Sequence, residues 1–203
     1  MKEELKIKTF SDYLAFGISA IFSPYITATV FIVIVIYAYA QSLSQFLPWV
    51  VTFLSFAVII PGMYLLWLIE TKKVTDIHLA DRQDRKWPFL IGGISAFMGA
   101  AILICLGAAR PVIVIGVTYA INAMVVAIIT LFWKISIHTA LFSALATIAV
   151  VVFGSTFWWL YLILLPLGWS RIHRHRHTVL QATAGALLAF VLTAAVFWLF
   201  GYF

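Results

Sequence analysis

Charge is the scarcest resource in this chain: only 10% of its 203 residues are Asp, Glu, Lys or Arg. Apolar residues make up 65% of it. A chain this poor in charge cannot clothe a water-facing surface, which excludes an ordinary soluble globular protein. Cysteine is nearly absent. The single Cys105 excludes a disulfide within the chain, and its place in an apolar run predicts a lipid- or core-facing packing role. Carboxylates number only seven, which disfavours a two-metal hydrolase with clustered Asp ligands. No soluble domain, low-complexity tract or internal repeat is visible. The polar start, Met1-Lys2-Glu3-Glu4, lacks the pattern of a cleaved signal peptide, so insertion without processing is expected.

What is present is a succession of long apolar runs. At about 20 residues per crossing, the length accommodates a single all-α integral membrane domain, a polytopic transmembrane helical bundle of six or seven spans. Residues 1–24 are expected to lie at the interface or to re-enter it, with Pro24 dividing them from a first span over Tyr25–Ala40; a single tilted helix over Tyr13–Ala40 is the alternative. The bundle, residues 25–203, continues with spans at 46–69, 89–107 and 112–133, two short ones broken at Gly154-Ser155-Thr156, and a last one from Thr178 to the C-terminus. Pro61-Gly62 predicts a kink in the second. Trp49, Trp67, Trp87, Trp133, Trp158, Trp159 and Trp169 fall near span ends, as an aromatic belt requires.

Counting spans assigns the loops to two sides. The N-terminus and the loops at 70–88, 134–138 and 169–177 share one side and hold every Lys and Arg except Arg110. The positive-inside rule makes that side cytoplasmic. Lys72 and Lys73 read as topology determinants. Asn122, in mid-span, reads as interhelical glue.

The same three loops also hold His78, His138, His173, His175 and His177, every histidine in the chain. Loops joined to packed helices on one face can converge, and Arg, Lys, Ser and His together are what a phosphate group needs. Arg offers bidentate hydrogen bonds and Lys a point charge. His attacks phosphorus or protonates a leaving oxygen near neutral pH. Two competing readings are weaker. His173, His175 and His177 alternate with Arg174 and Arg176, whose charge repels a metal, and period-two spacing does not share a helix face; headgroup attraction accounts for at least two of Arg174, Arg176, His173 and His175. Asp76, Asp81 and Asp84 near His78 suggest a Mg²⁺–diphosphate cluster, but salt bridging to Arg82 and Arg85 explains them as well.

The segments SRIHRHRHTVLQ (170–181), with Gly185 beyond, and ISIH (135–138), separated by two short apolar stretches, resemble the last and middle motifs of the type 2 phosphatidic acid phosphatase superfamily of membrane lipid phosphatases. DRQDRKWP (81–88) is the best counterpart of the first motif. FWKISIH, GWSR and HTVLQATAG look like a small bacterial and archaeal branch of it, and the resemblance covers roughly residues 70–190. It implies that His177 is the nucleophile, forming a phosphohistidine, and that His138 is the general acid. It implies that Ser136, Ser170 and Arg171 hold phosphate oxygens, with Arg82, Arg85 and Lys86 as the cationic wall. Gln181 stands where the family has the Asp that orients the nucleophile; its carbonyl can fix the imidazole tautomer but supplies no charge. Ile135 and Ile137 replace the Pro and Gly of the middle motif.

The expected activity is therefore hydrolysis of a lipid phosphomonoester or a prenyl diphosphate, without metal or cofactor, at a cytoplasm-facing site in a prokaryotic cell membrane. A phosphotransferase of the same mechanism and a non-catalytic lipid-phosphate binding or transport protein are the alternatives. The bilayer and the lipid phosphate are the expected partners, and no nucleic acid is expected. Oligomeric state is left open.

Overall fold

The computed structural model describes residues 9–74 and 83–203, which are helical with no strand among them. The helices are α1 (Phe10–Ile21), α2 (Pro24–Tyr39), α3 (Leu43–Leu54), α4 (Ile60–Glu70), α5 (Lys86–Cys105), α6 (Arg110–Thr130), α7 (Ile137–Phe153), α8 (Leu164–His173) and α9 (Val179–Leu199). A π-helical segment, Ser55–Ile59, fuses α3 to α4, and a 3₁₀ segment, Ser155–Ile163, leads into α8. Four helical stretches are long and apolar enough to cross a membrane: Leu43–Glu70, Lys86–Cys105, Arg110–Thr130 and Val179–Leu199. The α1–α2 pair, broken at Phe22-Ser23, makes a fifth if it is one span. Helix α7 is shorter, at 17 residues.

The chain forms two compact units, Met1–Thr27 with Ile135–Phe190, and Ala28–Lys134 with Val191–Phe203, whose boundaries fall inside α2 and α9. In the second unit, α5 and α6 form an antiparallel hairpin. Leu106 ends α5, and Gly107 (φ +63°) takes the left-handed position of a Schellman turn, its amide donating to Ile104 O while that of Ala108 donates to Leu103 O. Small residues let these helices approach closely. A Cβ on Gly116 would lie 3.5 Å from that of Ala100, and one on Gly99 would lie 2.6 Å from Phe56 Cβ.

The expected kink at Pro61 takes a definite form. Proline has no N–H for the carbonyl four residues back, Ala57. The π segment diverts the Ile60 amide to Ser55 O, which deprives Phe56 O as well. Both carbonyls are satisfied from neighbouring helices: Tyr119 Oη donates to Ala57 O at 3.0 Å and Ser95 Oγ to Phe56 O at 2.7 Å. Inside an apolar bundle an orphan carbonyl is costly, so these hydroxyls make the proline tolerable. Asn122 Nδ2 reaches Thr118 O on its own helix and Thr193 Oγ1 on α9, at 2.9 and 3.3 Å, which ties α6 to α9. Arg110 donates through Nη2 to Phe200 O at the end of α9. Its guanidinium also lies 5.6 Å from the Tyr202 ring centroid. Cys105 is exposed at the end of α5.

The first unit holds α1, α7, the 3₁₀ segment, α8 and the start of α9. Ala140 and Ala144 of α7 pack on Ala189 of α9. Thr147 Oγ1 and Tyr161 Oη share a 2.8 Å hydrogen bond between α7 and the 3₁₀ segment. Phe22 meets Phe142 edge-on at 5.3 Å.

Candidate active site

Two local stop signals build the site in the first unit. Helix α8 ends at His173, and His175 adopts φ +52°, the left-handed position that usually belongs to glycine. The His175 amide donates to Ile172 O at 2.9 Å and the Arg176 amide to Arg171 O at 3.0 Å, again a Schellman pattern. The turn continues one residue further, and the His177 amide also reaches Arg171 O, at 3.3 Å. The five residues between Arg171 and His177 are thus one closing turn, which returns His177 to the helix end that carries Arg171. Both side chains are buried, at 6% and 9% exposure.

Helix α9 then starts with a reciprocal cap. The Thr178 amide donates to Gln181 Oε1 at 3.1 Å, and the Gln181 amide donates to Thr178 Oγ1 at 3.2 Å. Gln181 was expected to orient the His177 imidazole; its side-chain carbonyl is placed on the Thr178 backbone. Its main-chain carbonyl accepts the Ser136 amide at 3.1 Å, which brings the middle motif to the last.

Ser136 is the N-cap of α7 and is fully buried, its Oγ 3.5 Å from the Thr139 amide. Ile135 beside it is buried too and anchors the segment. Thr139 Oγ1 donates to Ala182 O at 2.8 Å, a second stitch to α9. Gly185 permits this closeness, since a Cβ there would stand 2.7 Å from Ser136 O. His138 sits half-buried in the first turn of α7. The N-termini of α7 and α9 therefore lie side by side, and helix N-termini favour anions.

Ser170 is fully buried with its hydroxyl on Leu167 O at 2.7 Å, so it fixes α8 from within. The first-motif residues belong to the second unit. Arg85 is buried, its guanidinium 5.9 Å from the Phe89 ring centroid, and Lys86 is exposed with Nζ 5.2 Å from the Trp87 centroid. Arg82, with Asp76, His78 and Asp81, falls outside the described residues. No group of three or more potential metal ligands occurs among the described residues.

The sequence reading missed the part played by α1. Three of its residues, one face at helical spacing, engage α8. Asp12 Oδ1 lies 2.9 Å from His173 Nε2, the Phe16 ring lies 5.1 Å from the Arg174 guanidinium, and Ser19 Oγ accepts from Arg171 Nη1. His173 also stacks on Trp169 at 5.1 Å. The available signal was Asp12 and Ser19 on one face of a mostly apolar helix. Burial first, then the charge of Arg176, pulls the Arg174 pKa below the ordinary guanidinium value. Crowded cations of this kind favour a bound anion. Compared with protein-family models, curated proteins and solved structures, the chain finds no match in any of the three.

Proposed function

We propose that this chain is an integral membrane lipid phosphatase acting through a phosphohistidine. The observation that carries the reading is the closing turn of α8, which returns His177 to Arg171, with Ser136 joined to the next turn through Gln181 O. In the proposed reaction Arg171 and the α7 N-terminus with Ser136 hold the phosphate oxygens. The His177 imidazole attacks phosphorus, a P–N bond forms, and the P–O bond to the lipid alcohol or phosphate breaks. His138 gives its proton to the departing oxygen. Water then attacks the phosphohistidine, with His138 taking a proton from it, and inorganic phosphate leaves.

We read the bundle as six or seven spans, counting α7 and the 3₁₀–α8 stretch as short crossings. At 1.5 Å per residue α7 reaches about 25 Å against a core of about 30 Å. With the Lys- and Arg-rich loops taken as cytoplasmic, the proposed site faces the cytoplasm of a prokaryotic cell, and prenyl diphosphates and phospholipid precursors are the proposed substrates. One observation favours a second reading, a lipid-phosphate binding protein without turnover: the Gln181 side-chain carbonyl is engaged in capping α9, where it accepts the Thr178 amide.

The test is phosphate release by the purified chain in detergent with EDTA present, from prenyl diphosphates, phosphatidic acid and phosphatidylglycerol phosphate. Release from one of them, lost in His177→Ala and in His138→Ala, is expected. Full activity in His177→Ala, or a requirement for Mg²⁺, overturns the mechanism. Binding without release selects the second reading.

A further inference from the structure

We infer that Ser19, on the N-terminal helix, is a positioning residue for the Arg171 guanidinium, so that α1 is part of the phosphate site. The inference rests on the proposed phosphate role of Arg171. Ser19 is 3% exposed and Arg171 6% exposed, and the Ser19 hydroxyl oxygen accepts from Arg171 Nη1 across 152 residues of sequence. A guanidinium is planar and rigid, so holding one of its nitrogens sets the plane of the whole fork. An arginine side chain otherwise has several rotatable bonds, and bidentate recognition of phosphate depends on the orientation of that plane. The surrounding contacts hold α1 in place for this task. Asp12 meets His173 one turn before Phe16 meets Arg174, and Ser19 follows on the same face. Ala15, fully buried on that face, leaves room for close approach.

A neutral hydroxyl suits this position better than a carboxylate would. An Asp or Glu would set a negative charge against the guanidinium and compete with phosphate, whereas a serine orients the cation without adding a charge. That difference separates positioning from mere packing.

The test measures inorganic phosphate binding by calorimetry on the full purified chain in detergent, together with Tm. Ser19→Ala is expected to weaken phosphate binding roughly three- to tenfold, the range of one ordinary hydrogen bond, because the serine acts on the ligand only through the arginine; Ser19→Thr, which keeps the hydroxyl, is expected to restore it to within about twofold. Ser19→Asp is expected to retain or raise Tm while weakening phosphate binding more than about tenfold, because a buried partner charge competes with the ligand. The Asp variant keeps the test informative if Ser19→Ala fails to fold. Unchanged binding in Ser19→Asp, or in a folded Ser19→Ala, while Arg171→Ala loses binding, overturns the positioning role and leaves the phosphate site standing. Unchanged binding in Arg171→Ala overturns the phosphate site and the role of Ser19 with it.

Discussion

The amide of His177 donates to the carbonyl oxygen of Arg171 at 3.3 Å, so the candidate nucleophile and the candidate phosphate-holding arginine are tied by their main chains. Their separation in sequence is the length of the turn that closes α8. One residue more or fewer between them would break the paired hydrogen bonds of that turn and send His177 elsewhere.

The turn carries its own strain. His175 holds φ +52°, where an L-residue with a Cβ is disfavoured, and its side chain is exposed. His175→Gly is expected to stabilise the protein by about 1 kcal/mol, read as a higher Tm in detergent, with phosphate release per molecule unchanged. Loss of activity in this variant would bring the His175 imidazole into the chemistry.

Gly185 lies where α9 passes the N-cap of α7. A methyl group at 185 would stand 2.7 Å from Ser136 O, and that oxygen belongs to a buried backbone held by Gln181. Gly185→Ala is expected to cost about 1–3 kcal/mol by overpacking and to lower activity beyond what unfolding explains, because Ser136 must shift. Thermal melts and kinetics at a temperature well below Tm separate the two effects.

The π segment ahead of Pro61 predicts a coupling. Tyr119→Phe removes the hydroxyl on Ala57 O and leaves a buried carbonyl short of a donor, expected to cost about 1–3 kcal/mol. Pro61→Ala restores an N–H that can serve the same carbonyl. In the Pro61→Ala background the Tyr119→Phe cost is expected to shrink, and a double-mutant cycle on stability measures that difference.

Much of this was legible in the sequence, and the parts that were not share a cause. The run 89–107, the turn at 108–111 and the run 112–133 announced the α5–α6 hairpin, because hydropathy and turn chemistry are local. The Gly154 break was visible for the same reason; α7 stops at Phe153 and Gly154 takes φ +107°. The Ser-Arg-x5-His spacing was visible as a pattern, but its meaning as a turn needed the left-handed His175, a position usually signalled by glycine or asparagine. Gln181 was read by analogy as a partner for His177, although Thr178 three residues earlier spells a capping box. The Ser19–Arg171 contact joins residues 152 apart and has no local signature. The rescue of Ala57 O by Tyr119 likewise depends on which helices meet, and periodicity in one helix does not say which others it touches.

The most direct measurement is a search for the covalent intermediate. The purified chain is mixed with ³²P-labelled lipid phosphate at the substrate position found active, quenched in alkali within milliseconds to seconds, and digested. The account predicts a base-stable, acid-labile label on the peptide that contains His177, absent in His177→Asn and accumulating in His138→Ala for a substrate whose leaving group needs no proton. Steady phosphate release with no label on that peptide, or release that persists undiminished in His177→Asn, would contradict it.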